Sequence, residues 1–406
     1  MTINILDNLD TRELGKELQR ARKQSGLTQE DAAAVLNVAR TTITAIEKGD
    51  RRIKVDELIK LAKAYGRQIS DFVRSRPVIE PFQVQFRGPY IRSAVDNAKI
   101  APYIQQLEDL ARDYLELERI LEAPLTHRYP PEYSITGLNL AQAAEDIATQ
   151  ERNRLGLGDG PIPILRDILE QEVGLRIFYI KLPSKFSAMY LYDHQLGGCI
   201  AVNSQHHEER RRWSLAHDYG HFLVSRYKPV LYIEDGYERL PESERFVDLF
   251  ALYFLMPTSS LTRRFNDIRR TKGKITPADL CILAHYYGAS VEALSRRLED
   301  MRLLPTGTWD KLRMGGFKVR EAQKELGLEP TPTYDTSLPM RYQYLAIEAF
   351  DQALITEGRF AQFLRIDRLE ARRLAEVLRK EAVSMLDDTP ISLDLSQPLD
   401  IQEHRS

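Results

Sequence analysis

Two histidines and an aspartate lie close together in RRWSLAHDYGHFLVSRY, residues 211–227. His217 and His221 are four residues apart in a helical pattern, so both imidazoles lie on one helical face and can reach a single zinc ion. Hydrolysis at such an ion also needs a third protein ligand, an open position for water, and a base that takes the proton of that water. Asp218 offers a carboxylate for this last task.

A second segment offers the missing ligand. ESERFVDLFALYFLMP, residues 242–257, is predicted to be a helix that ends at Pro257. It places Glu244 and Asp248 at i and i+4 on one face. We expect Glu244 to be the third ligand and Asp248 to orient a ligand histidine. A histidine pair alone is more typical of a helix core, so the second segment decides in favour of metal binding.

Both segments resemble the ImmA/IrrE family of zinc metallopeptidases, whose pattern is RFTLAHELGH and then a glutamate in E-x-x-A-N/D-x-F-A-x-x-L-L-M-P. The resemblance covers roughly residues 138–300. In the second segment the matching residues are Glu244, Asp248, Phe250, Ala251, Leu255, Met256 and Pro257. The resemblance implies a zinc peptidase that cuts a repressor of the XRE type and thereby relieves repression.

The chain departs from this family at Asp218, where the family has its catalytic glutamate. Aspartate is shorter by one methylene, which moves the carboxylate by about 1.5 Å. A displacement of that order can cost ~10²-fold in rate. Because Asp218 is not an expected ligand, the departure affects turnover more than zinc binding.

A second constellation, near the N-terminus, has the spacing of a helix-turn-helix. Such a unit places the N-terminal end of its second helix in the major groove of DNA, where polar side chains reach base edges. A basic side chain just beyond can contact phosphates, and residues 1–76 contain 15 Lys/Arg against 11 Asp/Glu. The expected DNA contacts are Gln29, Arg40, Thr41, Thr42, Thr44 and Lys48.

The stretch LTQEDAAAVLNVARTTITAIEKGDRRIKVDELIKLAKAYG resembles the XRE family, the phage Cro and repressor type of helix-turn-helix. The resemblance covers about 65 residues. The matching positions are Gly26, Leu27, Thr28, Gln29, Ala33, Ile43, Ile46, Glu47, Gly49, Leu58, Leu61 and Ala62. It implies binding to double-stranded operator DNA, and because most single domains of this type bind as dimers, we expect a homodimer.

The elements that must position these residues are mainly helical. Residues 11–73 are predicted to form five short helices, and LRIFYIKL, SAMYLYD and GGCIAVN three strands of a small antiparallel sheet with helices on one side. The expected fold class is α+β. The expected domains are a helix-turn-helix domain (1–76), a linker and helical connector (77–137), a zincin-like metallopeptidase domain (138–300) and a helical C-terminal region (301–406). ITEGRFAQFLRIDRLEARRLA, in this last region, also has helix-turn-helix character and is interpreted as a packing or dimerisation element in preference to a second DNA contact.

Composition narrows the class of protein. The 406 residues carry a formal net charge of −2, so a nucleic-acid surface must be local. Two cysteines are too few for a disulfide scaffold and fit a reducing cytoplasm. No signal peptide or transmembrane segment is expected.

These observations predict a cytoplasmic DNA-binding transcriptional regulator with a zinc-binding, ImmA/IrrE-like domain that cleaves a repressor or itself. Two alternatives stay open. The protein can be a non-enzymatic repressor whose zinc domain is structural or senses a ligand. It can also be a protease that uses its N-terminal domain only to recognise an XRE-type target.

Overall fold

The computed structural model describes residues 11–67, 69, 72, 94–233, 241–328 and 337–386. They belong to two compact units, one within residues 1–78 and the other within residues 79–406. The fold is mainly helical with one small sheet, which confirms the predicted α+β class. Within the described ranges, no helix is long and apolar enough to cross a membrane.

The first unit contains four described helices with local start and stop signals. Thr28 caps the second helix and exchanges hydrogen bonds with Asp31 in a capping box. Asn37 and Gly49 end the second and third helices in the left-handed conformation, with φ of 55° and 79°. The helices are α1 (Thr11–Gln24), α2 (Gln29–Leu36), α3 (Arg40–Lys48) and α4 (Val55–Ala64). The predicted fifth helix, at 70–73, lies outside the described residues except for Phe72, which is buried.

Helix α1 crosses α3 at very short range because position 15 has no side chain. A Cβ on Gly15 would collide with the carbonyl oxygens of Ile46 and Glu47. The close crossing closes a core of apolar residues from all four helices, which includes Leu18, Ala32, Ile43, Ile46, Leu58 and Leu61.

The second unit begins with a long helix and then surrounds a sheet with helices. Its first elements are α5 (Ala94–Ile120), α6 (Leu140–Arg154), α7 (Leu165–Ile168), which continues as a π-helical turn (Leu169–Val173), β1 (Arg176–Ile180), β2 (Phe186–Asp193), β3 (Gly197–Asn203), α8 (Glu208–Val224) and β4 (Val230–Ile233). The later helices are α9 (Glu242–Leu255), α10 (Thr258–Lys272), α11 (Pro277–Tyr287), α12 (Val291–Asp300), α13 (Thr308–Met314), α14 (Val319–Glu325), α15 (Met340–Asp351), α16 (Glu357–Leu364) and α17 (Arg368–Leu386).

The sheet is mixed rather than purely antiparallel, and it has a fourth strand. Its order is β1-β3-β2-β4, with β1 parallel to β3 and β2 antiparallel to both β3 and β4. The buried Asn203 side chain accepts from the Leu182 amide and donates to the carbonyl oxygens of Pro183 and Phe186. These bonds join the β1–β2 loop to the end of β3, the strand that lies between β1 and β2 in the sheet.

Both faces of the sheet are covered, whereas the sequence predicted helices on one side only. Alternate strand residues point to opposite faces. Ile177, Tyr190 and Ile200 pack on the side of α6, α8 and α9. Phe178, Met189, Leu191, Cys199 and Ala201 pack on the side of α5, α15 and α16. The sheet that packs against α8 is therefore also packed against a second hydrophobic core on its opposite face.

Glu170 connects the π-helical turn to α5, and we expect its ionisation to make the free energy of unfolding depend on pH. It is buried and accepts a hydrogen bond of 3.0 Å from the Tyr114 hydroxyl. Burial raises the pKa of Glu170 to about 7, although the Tyr114 bond and Arg166 act in the opposite direction. The folded protein thus holds this proton more tightly than the unfolded chain. The stabilisation is complete below the ordinary pKa of about 4.5 and is lost as the pH rises through about 7.

Glu170→Gln keeps the acceptor but cannot ionise, so we expect it to lose less stability than wild type between acidic and mildly alkaline pH. Urea unfolding of the full chain on both sides of neutral pH measures this. Glu172→Gln is the control, because Glu172 forms an exposed pair with Arg128. A wild-type pH dependence in Glu170→Gln would contradict the prediction.

Candidate metal centre and nucleic-acid interface

Helix α8 carries both histidines on its buried face. His217 and His221 lie one turn apart, and their Nε2 atoms are 3.2 Å from each other. Gly220 lies between them in sequence, and a Cβ there would press on Val247 and Phe250 of α9 at 3.0–3.1 Å. The glycine therefore lets α9 approach the histidine helix closely.

Helix α9 brings a carboxylate to the same point. Glu244 Oε2 is 3.4 Å from His217 Nε2, and Glu244 Oε1 is 3.4 Å from His221 Nε2. Three metal-ligating groups thus converge, and all three side chains are buried. Around a tetrahedral zinc with bonds of about 2.0–2.1 Å, ligand atoms are about 3.3–3.4 Å apart. The donor set fits such an ion, and the shortest distance between each pair of the three residues is close to this separation.

Asp248 lies one turn further along α9, behind His217. Its Oδ1 is 3.0 Å from His217 Nδ1. A carboxylate at Nδ1 holds the proton on that nitrogen and leaves the Nε2 lone pair directed at the convergence point. The structure therefore brings together His217, His221, Glu244 and Asp248 in the arrangement expected from the sequence.

Asp218 is fully buried, and neither of its carboxylate oxygens has a hydrogen-bond partner among the described residues. Burial raises the pKa of Asp218 to about 8, Glu244 adds to the effect, and His217 opposes it. Burial would lower the pKa of His217, but its bonds to Asp248 and Glu244 prevail and raise it to about 9. Without an ion, the acidic groups thus favour a positive charge at the His217 imidazole, as they would favour a divalent cation, whereas burial lowers the pKa of His221.

Tyr219 of α8 belongs to a buried network of hydrogen bonds that was not predicted from the sequence. The Tyr219 hydroxyl donates to Glu151 Oε2 at 2.5 Å, and Tyr133 donates to Glu151 Oε1 at 2.9 Å. Arg154 pairs with the same carboxylate at 2.7 Å. Glu151 sits on α6 in a run of polar residues, so only the fold reveals that it is buried.

In the first unit, three of the predicted DNA contacts form one hydrogen-bonded group. Gln29 Oε1 accepts from Arg40 Nε at 3.4 Å and from the Thr44 hydroxyl at 3.3 Å. Gln29 Nε2 donates to Glu47 Oε2 at 2.9 Å. The other three, Thr41, Thr42 and Lys48, lie on α3, where Thr41 and Lys48 are exposed and Thr42 is half-buried.

Glu47 also links α3 to α1, so we expect its substitution to lower the stability of the first unit. The buried Arg22 guanidinium contacts it twice, with Nε–Oε1 at 2.5 Å and Nη2–Oε2 at 3.1 Å. Removing one partner of a buried pair costs about 3–5 kcal/mol, so Glu47→Ala should destabilise the first unit by an amount of that order. Glu17→Ala, which breaks a partly exposed pair with Arg20, should cost below about 1 kcal/mol. Urea unfolding compares the two, and equal losses would contradict the prediction.

Comparisons with known proteins agree with the two units. Residues 18–72 match the family model described as Helix-turn-helix, and residues 170–299 match Peptidase_M78, the IrrE N-terminal-like domain. No curated protein matches the chain at a significant level.

Two solved structures align over most of the chain. One is the crystal structure of Bacillus thuringiensis PlcR in complex with the peptide PapR7 and DNA, with 10% identity over 92% of this chain and 98% of that chain, and a TM-score of 0.18. The other is ComR from Streptococcus suis, with 12% identity over 93% and 91%, and a TM-score of 0.16. TM-scores this low establish no shared fold. The two family matches do show that one chain contains an XRE-type helix-turn-helix region, residues 18–72, and an IrrE N-terminal-like region of the Peptidase_M78 family, residues 170–299.

Proposed function

We propose that the protein is a cytoplasmic transcriptional regulator that binds operator DNA and holds zinc through His217, His221 and Glu244. Its IrrE-like domain cleaves an XRE-type repressor, or a copy of this chain, and so relieves repression. The observation that carries the proposal is the convergence of three buried ligand residues, His217, His221 and Glu244, whose ligand atoms lie within 4.8 Å of one another in the region that matches Peptidase_M78.

The side chains around the proposed zinc site have different roles in the proposed reaction. Bound zinc would supply a Lewis acid that polarises a carbonyl and acidifies water. Asp248 orients His217, and Glu244 contributes a negative ligand. Asp218 in its ionised form is the proposed base, because it adjoins His217 in the chain and its oxygens have no hydrogen-bond partner among the described residues.

The first unit is proposed to recognise the operator sequence. The N-terminal end of α3 would enter the major groove, with Arg40, Thr41, Thr42 and Thr44 near base edges. Gln29 and Lys48 would contact the backbone and fix the register. We propose a homodimer because paired half-sites give such units their affinity.

One observation favours the alternative of a non-enzymatic zinc domain. Asp218 occupies the position where the resembling family has glutamate, and its shorter side chain holds the carboxylate about 1.5 Å further back. In that alternative the zinc domain stabilises the fold or senses a ligand, and repression depends on DNA binding alone.

The proposed function is tested by incubating the zinc-loaded chain and the chelated chain, each alone and with a purified XRE-type repressor. We expect discrete fragments with zinc and none after chelation, detected by mass spectrometry. A zinc-loaded chain that cuts neither protein would favour the non-enzymatic alternative.

A further inference from the structure

The α2–turn–α3 unit has a defined backbone signature. Thr28 caps an eight-residue helix through its side chain, which accepts from the Asp31 amide. Asn37 then turns the chain in the left-handed conformation with φ of 55°, and the second helix begins at Arg40. These positions define the sharp turn of a helix-turn-helix.

The C-terminal region repeats this signature position by position. Thr356 caps the eight-residue helix α16, and its side chain accepts from the Arg359 amide. Arg365 adopts the left-handed conformation with φ of 59°, and α17 begins at Arg368. The interval from cap to turn and from turn to second helix is the same in both units. A non-glycine residue with positive φ is uncommon. Among the described residues it also occurs at Glu122, Arg302 and Ala353, so the correspondence depends on the matching intervals and contacts as well.

The hydrogen bonds of the two turns also correspond. The Val38 amide donates to the Ala33 carbonyl, and the Ile366 amide donates to the Ala361 carbonyl. Ala33 and Ala361 are both buried at the inside of the turn, where a small side chain lets the two helices approach. The same contact that closes the first turn therefore closes the second.

Even the side-chain contact between the two helices recurs. In the first unit, Gln29 at the start of α2 bonds to Thr44 in the second turn of α3. In the C-terminal region, Glu357 at the start of α16 pairs with Arg372 in the second turn of α17, at 2.6 Å. The two pairs occupy equivalent positions, so the outer surface of α17 corresponds to the DNA-facing surface of α3.

We propose that α16 and α17 form a second helix-turn-helix that binds duplex DNA, with α17 as the helix presented to the major groove. The first two turns of α17 are exposed at Arg368, Leu369, Glu370, Arg372 and Arg373. Arginine supplies both phosphate contacts and guanine recognition, and an exposed apolar side chain such as Leu369 can contact a thymine methyl.

The charge of this surface favours DNA over a second copy of the chain. Three of its five residues are arginines against one glutamate, Glu370. Arg372 is paired with Glu357, whereas no ion pair of Arg373 is found among the described residues. Like-charged arginine surfaces repel across a two-fold interface, whereas phosphates neutralise them. Leu369 alone offers too little apolar area for a stable dimer contact.

The test uses the full chain and a fluorescent duplex of mixed sequence, because phosphate contacts do not depend on sequence. Arg40→Glu with Lys48→Glu first weakens the N-terminal unit. In this background, Arg368→Ala with Arg373→Ala should lower the remaining affinity. It should also reduce the slope of log Kobs against log [salt] by about 2, since each arginine that no longer neutralises a phosphate lowers the slope by about 1.

Lys311→Ala with Lys324→Ala is the matched control, since both are exposed lysines outside α16 and α17, and the charge removed is the same. It should leave affinity and slope unchanged. Thermal unfolding verifies that each variant is folded. An arginine variant that binds like the control would overturn the proposal. So would one that changes only the sedimentation coefficient, which would make α17 an interface between copies. Neither result depends on zinc, so neither bears on the proposed peptidase.

Discussion

Replacing His217 with alanine is expected to reduce bound zinc from about one ion per chain to almost none. The reason is geometric, because His217 Nε2 lies 3.2 Å from His221 Nε2 and 3.4 Å from Glu244 Oε2, at the point where the three proposed ligands meet. Two remaining protein ligands cannot complete a tetrahedral site. Elemental analysis of the dialysed protein, after zinc has been supplied, measures the change.

Two further variants separate the metal site from general damage to the fold. His194→Ala removes an exposed histidine and should keep its zinc. Asp248→Asn leaves all three ligands in place but weakens the bond that orients His217, so a loss of about 10–100-fold in affinity is expected. If His217→Ala retains zinc, or wild type never acquires it, the centre we describe does not bind this metal.

Restoring glutamate at position 218 is expected to raise the rate of repressor cleavage by up to ~10²-fold, because the added methylene moves the carboxylate forward by about one bond length. Asp218→Asn should abolish the activity, since an amide cannot take the proton. Cleavage by each zinc-loaded variant is followed on gels at one enzyme concentration.

Position 218 is fully buried, so the added methylene can also strain the packing, by about 1–3 kcal/mol. Zinc content and thermal midpoint are therefore measured beside the cleavage rate. Equal cleavage by wild type and Asp218→Asn would eliminate Asp218 as the base. A folded, zinc-bound Asp218→Glu that gains no activity would support the non-enzymatic alternative.

The site could be predicted from the sequence because its geometry is local. The spacing of His217 and His221 on one helix, and of Glu244 and Asp248 on another, determines which side chains share a face. Only the crossing of α8 and α9 is non-local, and Gly220 marks the place where it occurs. The burial of Asp218 without a partner and the Tyr219–Glu151 network depend on neighbours distant in sequence, so no periodicity reveals them.

The sheet was harder to predict for a similar reason. β-Branched and aromatic residues identified β1, β2 and β3 as strands, but their pairing involves contacts between segments distant in sequence, such as the bonds of the Asn203 side chain to the β1–β2 loop. The pattern of α16 and α17 indicated helix-turn-helix character. It could not indicate that Arg365 adopts the same left-handed backbone conformation as Asn37.

Because both faces of the sheet are covered by helices, we expect a fragment that lacks one set of these helices to be unstable. A fragment confined to residues 138–300 would keep every proposed zinc ligand but would lack α5, α15 and α16. Phe178, Met189 and Leu191 would then face water, together with the apolar surface around them. Such a fragment should aggregate even though its chemistry is intact. We therefore do not expect the peptidase-like region to fold as an isolated fragment. Loss of activity in such a truncation would not identify which residues are active.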